Sequence, residues 1–168
     1  PYLHQSVLNF ADIELLSSHT ASAIMDLGPE LTNRLLKLPW YSLSFRETVE
    51  QLSSKTYTSS RIRRGLLHLV LGIYETDFKE HYSQCPAPYV KILGLRTSAS
   101  PLLKAIKNNT SIPIITKPAS AKKLITRKSQ WYHKIDLKAD LLYQSLLYQK
   151  TGKKLPGPMQ LSPVIIKE

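Results

Sequence analysis

TYTSSRIRRGLLHLVLGIY, residues 56–74, reads as a helix in which Ile62, Leu66, Leu69, Val70 and Ile73 recur at spacings of three and four and form one apolar stripe. Arg61, Arg64 and His68 fall on a second stripe. The first turn carries Arg61, Arg63 and Arg64 and no acid. A helix N-terminus bears a partial positive charge, so exposed cations there cost about 0.3–1 kcal/mol each. Arginines set against that field call for an anion. Glu30, Glu47 and Glu50 of the surrounding helices are one source, and a ligand held with the backbone N–H groups of residues 58–61 is another.

Outward from this helix, the first eighty residues read as helical. In GPELTNRLLKL, Pro29 stands near a helix start, where its missing N–H costs nothing, and Leu31, Leu35 and Leu38 follow on one face before Pro39 ends the run. SLSFRETVEQLSS offers a capping box, Ser44 with Glu47, ahead of Phe45, Val49 and Leu52. The middle of the chain changes character. PYVKILGL (88–95) and SIPIITKP (111–118) are short β-branched runs bounded by Pro, Gly and Asn, and SASPLLKAIKN between them reads as a helix with Pro101 in its first turn. That pattern is a βαβ unit with two parallel strands. ASAKKLITRKSQWYHK reads as a loop or an irregular helix start, DLKADLLYQSLLYQKTG as an amphipathic helix stopped by Gly152, and the proline-rich tail as extended chain over the surface. The expected fold class is mainly α with a small βαβ unit (α+β), in two subdomains: helical 1–80 and basic βαβ-plus-helix 81–168.

Charge is the most informative feature of the composition. Residues 1–80 hold eight Lys/Arg and nine Asp/Glu, whereas residues 81–135 hold ten Lys/Arg and no acid. Asymmetry of this kind points to a polyanion, because each Lys or Arg set on a phosphate releases condensed counterions. An acidic protein surface and simple solubility are the alternatives. The longest apolar run is far short of the ~20 residues that span a bilayer, and PYLHQSVLNF lacks the pattern of a signal peptide, so no membrane association and a cytoplasmic location are expected. Cys85, the single cysteine, has no partner for a disulfide or a thiolate metal site and reads as packing. The chain begins with Pro1 rather than Met, which suggests a piece of a longer protein.

Catalytic signatures are missing: there is no HxGH, glycine-rich phosphate loop, CxxC, HExxH or GxSxG. His133, between Tyr132 and Lys134, reads with Trp131 as part of a basic–aromatic surface, the alternative being that Trp131 and Tyr132 anchor the last helix in the core, while His68 reads as a packed helix residue. No metal site is expected.

SSKTYTSSRIRRGLLHLVLG, PYVKILGL, PLLKAIKNNTSIPIITKP and DLKADLLYQSLL, in that order, resemble the C-terminal region of the bacterial tRNA(Met) cytidine acetate ligases. The family pattern there is roughly KTKRYTxTRIQRxLLHIL, PYxRVLGF, PIITK and DIRATDIYxL, with LENRL upstream where this chain has LTNRLL. The resemblance covers most of residues 28–148. Thr56 replaces the usual Arg, Arg63 the usual Gln, and Lys138 the usual Arg.

The resemblance implies a parent enzyme whose N-terminal HxGH nucleotidyltransferase domain activates acetate with ATP as acetyl-adenylate and then acetylates the wobble cytidine of elongator tRNA(Met). This stretch would bind no cofactor, have no catalytic residue and be silent alone; its partners would be tRNA and the N-terminal domain of the same chain. The alternative function is a protein-interaction or regulatory domain that docks an acidic partner. The candidate nucleic-acid contacts are Lys55, Arg61, Arg63, Arg64, Lys91, Lys117, Lys122, Lys123, Arg127, Lys128, Trp131 and Lys138. On one continuous basic surface, Trp131 or Tyr132 would stack on an unpaired base.

Overall fold

Thr58 sits in extended backbone and its hydroxyl accepts the Arg61 N–H, which sets the start of the central helix at Ser59. Gly72, at φ 68°, ends that helix in the left-handed conformation that glycine adopts without a Cβ penalty. The computed structural model describes residues 23–39 and 42–167. The reading of residues 1–22, with His4 and His19, lies outside them.

The described chain clusters into two units. The first is Pro1–Glu80 with Leu146–Gly152, and the second is His81–Ser145 with Lys153–Glu168. In the first, α1 spans Gly28–Leu36 with Pro29 in its first turn, α2 Phe45–Leu52, and α3 Ser59–Leu71. The capping box of α2 forms in both directions: Ser44 accepts from the Glu47 N–H at 3.3 Å, and Glu47 accepts from the Ser44 N–H at 2.7 Å. The apolar stripes of the three helices meet in one core, where Ile24, Leu27, Leu31, Val49, Leu52 and Ile62 are almost wholly buried and Phe45 and Leu38 pack at the margin. The chain ahead of α1 is tied to the end of α3 by an antiparallel bridge, Ile24 to Tyr74.

Helix α4, Glu75–Gln84, leads into the second unit. There β1, Val90–Lys91, runs parallel to β3, Ile114–Ile115, in the register Val90 to Ile114 and Lys91 to Ile115. Helix α5, Ser100–Asn109, lies between them in sequence, which is the βαβ unit expected from the pattern. Two expectations need correction. PYVKILGL is two strands, not one: Ile92 and Leu93 separate β1 from β2, Gly94–Arg96. The tail does more than lie extended, since its β-branched residues form β4, Val164–Ile166, which pairs in parallel with β2. Gly94 permits that approach, because a Cβ there would stand 3.1 Å from the Val164 carbonyl oxygen. The described residues therefore hold two two-stranded parallel sheets rather than one.

The stretch read as irregular resolves into one-turn 3-10 helices at Pro118–Ser120 and Arg127–Ser129 around α6, Ala121–Leu124. Helix α7, Gln130–Thr151, then begins six residues before the expected Asp136 and ends at Gly152, φ 68°. Among the described residues, a buried cluster of this unit is Ile115, Ala121 and Ile125, with Tyr89 against them. Among the described residues no helix is long and apolar enough to cross a membrane.

The ranking of these contributions is testable in the first unit. Ser44→Ala removes one cap and should cost about 1 kcal/mol, whereas Leu31→Ala empties a fully buried site and should cost about 2–5 kcal/mol. Urea midpoints of the two variants give the order; equal midpoints would contradict it.

Candidate nucleic-acid interface

The arginines that open α3 have found an anion inside their own unit. Arg64 grips the Asp26 carboxylate with a fork, Nε to Oδ2 at 3.2 Å and Nη2 to Oδ1 at 3.3 Å. Arg61 Nε donates to the Asp26 carbonyl oxygen at 3.2 Å, and its guanidinium lies 5.1 Å from the Tyr57 ring centroid. His68 Nδ1 lies 3.1 Å from the Met25 carbonyl oxygen and 3.4 Å from Asp26 Oδ2, so that nitrogen carries the proton, since both neighbours accept. The pairing expected with Glu30, Glu47 or Glu50 is corrected by this geometry. Glu30 accepts from the Tyr57 hydroxyl, Glu47 caps α2, and Glu50 pairs with Arg46. Asp26 was missed. Its signal in the sequence is the Asp26-Leu27-Gly28 turn: Asp26 and Gly28 both have positive φ, 70° and 65°, a conformation that Asp and Gly tolerate. The Arg64 side chain still remains 60% exposed, so the ion pair covers one side of it only. Lys55 and Arg63 are exposed in the same unit.

The second unit contains the longer run of cations. Ala121, Ile125 and Ser129, four residues apart, all point inward and are buried. Ser129 is held by Thr126, whose hydroxyl lies 3.0 Å from its own and accepts its N–H, and by Cys85 Sγ at 3.6 Å. With every fourth position anchored, Lys122, Lys123, Arg127 and Lys128 are left exposed, as is Lys117 beside the buried Pro118. The unit carries fourteen Lys/Arg against Asp136, Asp140 and Glu168. Asp136 accepts from the Tyr89 hydroxyl and Asp140 pairs with Lys91.

The remaining candidates are placed differently. Trp131 is half-buried, stacked on His81 with ring centroids 4.5 Å apart. Lys138 is exposed on α7. Lys91 makes an ion pair with Asp140 at 3.0 Å. One turn earlier on α7, Asp136 accepts a hydrogen bond from the Tyr89 hydroxyl. Burial and that bond push the Tyr89 phenol well above its ordinary pKa, which keeps it a donor. Among the described residues no cluster of His, Cys, Asp and Glu could hold a metal ion.

His133 is not part of an exposed aromatic surface, as its neighbours in sequence suggested. It is buried, and its Nε2 has no hydrogen-bond partner. Burial lowers its pKa; Lys91 and Lys122 lower it further, and Asp136 opposes them. A histidine depressed in the fold contributes stability above its ordinary pKa of about 6.5 and loses it as the pH falls, because the unfolded chain takes up the proton first. Melting temperatures should therefore drop from about pH 7.5 to about pH 5.5, and the drop should be smaller for His133→Phe. Equal drops would remove His133 from this account.

A family model described as HIGH Nucleotidyl Transferase matches residues 2–156. The tRNA(Met) cytidine acetate ligase of Caldanaerobacter subterraneus subsp. tengcongensis is 36% identical over 111 residues, 66% of this chain and 27% of that protein. The tRNA(Met) cytidine acetate ligase of Thermosipho africanus is 25% identical over 179 aligned positions, 98% of this chain and 41% of that protein. Among solved structures, Thermotoga maritima TmcAL bound with alpha-thio ATP superposes with a TM-score of 0.78 at 18% identity, over 98% of this chain and 41% of that one. The likeness to that structure is one of fold. The chain thus spans less than half the length of these relatives, and it belongs to the HIGH nucleotidyl transferase family.

Proposed function

We propose that the chain is the tRNA-binding, non-catalytic C-terminal part of an ATP-dependent ligase that acetylates the wobble cytidine of elongator tRNA(Met), working in the cytoplasm. One observation carries the tRNA part of this reading: the segment from Lys117 to Lys128 anchors its small and apolar residues and leaves five cations exposed, with no acid in residues 81–135 to pair them. Phosphates would fill that role, and A-form RNA offers phosphates and 2′-hydroxyls to a protein face more readily than base edges. The ligase part rests on the names of the relatives and on the family, in which nucleotide chemistry is the common theme. ATP and acetate would be handled by an N-terminal nucleotidyltransferase domain, since no HxGH motif stands in this sequence. Lys55, Arg61, Arg63 and Arg64 would supply phosphate contacts of the first unit's own, and the Trp131–His81 stack could receive an unpaired base, adding ~1–3 kcal/mol.

The tests are affinity measurements against tRNA, duplex DNA and an acidic peptide at two salt concentrations. The chain should prefer tRNA, with a steep loss on added salt. Replacing Lys122, Lys123, Arg127 and Lys128 together by Ala should reduce the logarithmic salt slope by about one for each phosphate left without its cation, with the melting temperature almost unchanged. Preference for the acidic peptide would turn the reading to a docking domain, and tRNA affinity unmoved by the substitutions would overturn it.

Arg61→Ala combined with Arg64→Ala separates two roles. Weaker tRNA binding at a melting temperature within a few degrees of the parent's assigns the arginines a share in the contact. A collapse of the fold assigns them to the Asp26 turn alone.

A further inference from the structure

One concavity lies wholly within the second unit and outside the basic segment. It has a volume of about 180 Å3 and opens between the residues that follow β1, those that follow β3, and the tail at residues 161–163. The two strands are parallel and end side by side, and the crevice outside the carboxyl ends of parallel strands is the place where open α/β sheets take ligands. Its volume is below the ~300 Å3 at which pockets begin to enclose drug-sized molecules, so it suits a single planar ring rather than a whole cofactor.

The walls combine apolar and polar groups. Leu93, Leu161 and Pro163 supply flat apolar surface, and Lys91 and Asp140 stand together with side chains 27% and 35% exposed. That ion pair is not saturated. The ammonium has three donors, and the pair occupies one; the carboxylate is engaged through Oδ2, and Oδ1 accepts no hydrogen bond among the described residues. The hydroxyls of Thr116 and Ser162, which also line the cleft, carry none among the described residues. A ligand seated here meets a donor for an anion, an acceptor for an N–H, and apolar faces for a ring.

We propose that this cleft seats one unpaired nucleotide of an RNA strand, the exocyclic amino group of its base donating to Asp140 and an adjacent phosphate resting on Lys91. The proposal rests on the RNA-binding reading above. Charge decides between base and bare phosphate: Asp140 makes the cleft locally neutral within a unit rich in cations, so the surroundings attract the strand while Asp140 disfavours an anion deep in the cleft. It also disfavours a base that presents a carbonyl oxygen where another presents an amino group. Cytosine and uracil differ in this way at one position, and an acidic side chain accepting from the cytosine amino group is an established mode of base readout.

The experiment compares labelled oligocytidylate and oligouridylate of equal length by fluorescence anisotropy with the chain, with tRNA as reference. Oligocytidylate should bind about tenfold more tightly, the effect of one hydrogen bond to a charged group. Asp140→Asn should erase the preference, because an amide both donates and accepts, while Lys91→Ala should weaken both oligomers by similar factors. Should Asp140→Asn fail to fold by its melting curve, Ser162→Phe, in the exposed tail, fills the cleft and should erase the preference in its place. Equal affinity of the parent chain for both oligomers, with tRNA still bound, overturns the cleft and leaves the RNA reading standing. A preference that survives Asp140→Asn or Ser162→Phe also overturns it. Binding of neither oligomer nor tRNA removes the RNA reading, and the cleft with it.

Discussion

Leu27 lies against Gly65, and the first unit is organised around that contact. A Cβ at Gly65 would stand 2.7 Å from Leu27 Cδ2, so only glycine lets a buried leucine sit this close to α3. Leu27 is flanked by the two positive-φ residues of the chain reversal ahead of α1, and the charged side chains of α3 hold that reversal from outside. Arg61 binds the Asp26 backbone, Arg64 its carboxylate, and His68 the carbonyl one residue earlier. These three positions and Gly65 share the side of α3 that meets the reversal, while Ile62, Leu66 and Leu69 fill the core. Of the cations that oppose the helix dipole at its start, Arg64 is thus placed on a carboxylate that offsets it.

The second unit is built on a different balance. Among the described residues, Ile115, Ala121 and Ile125 form a buried cluster with Tyr89 against it, and Leu142 is buried on α7. Side-chain bonds add to this packing. Tyr89 with Asp136 and Lys91 with Asp140 tie the strand region to successive turns of α7, and Thr126, Ser129 and Cys85 fix the 3-10 turn ahead of it. The two carboxylates stand one turn apart on α7, and their partners flank Val90, so these bonds favour one register of β1 against α7.

What could be read from the chain divides along the same line. The capping box, Pro29, the stripe of α3 and the parallel β1 and β3 were legible because each depends on neighbours a few residues away or on a local pattern. Asp26 was not, since its partners are Arg61, Arg64 and His68, 35 or more residues later, and no periodicity links a turn to a distant helix face. Strand β4 was hidden by the prolines around it, which signal extended chain and say nothing about what it pairs with. His133 was misjudged for a related reason: its basic and aromatic neighbours resemble a surface motif, but on a helix the residues beside it in sequence face other directions. The cleft beside Lys91 was invisible, since it is formed by three segments that meet only in the fold.

The two sets of cations differ in what remains for them to do. In the first unit, acids and bases are nearly equal in number, and Arg64, Arg46 and Lys79 each have a carboxylate partner. Among the described residues of the second, Asp140 pairs with Lys91 and Asp136 accepts from a tyrosine. The cations between Lys117 and Lys128 have no acid within their own stretch of chain, residues 81–135. At the ionic strength of a cell their mutual repulsion is screened over about 8 Å, less than the reach of the segment, so clustering them is tolerable. It is not stabilising. The cluster is thus held at a small cost to the fold, on a turn whose anchors place alanine, isoleucine and serine at the buried positions.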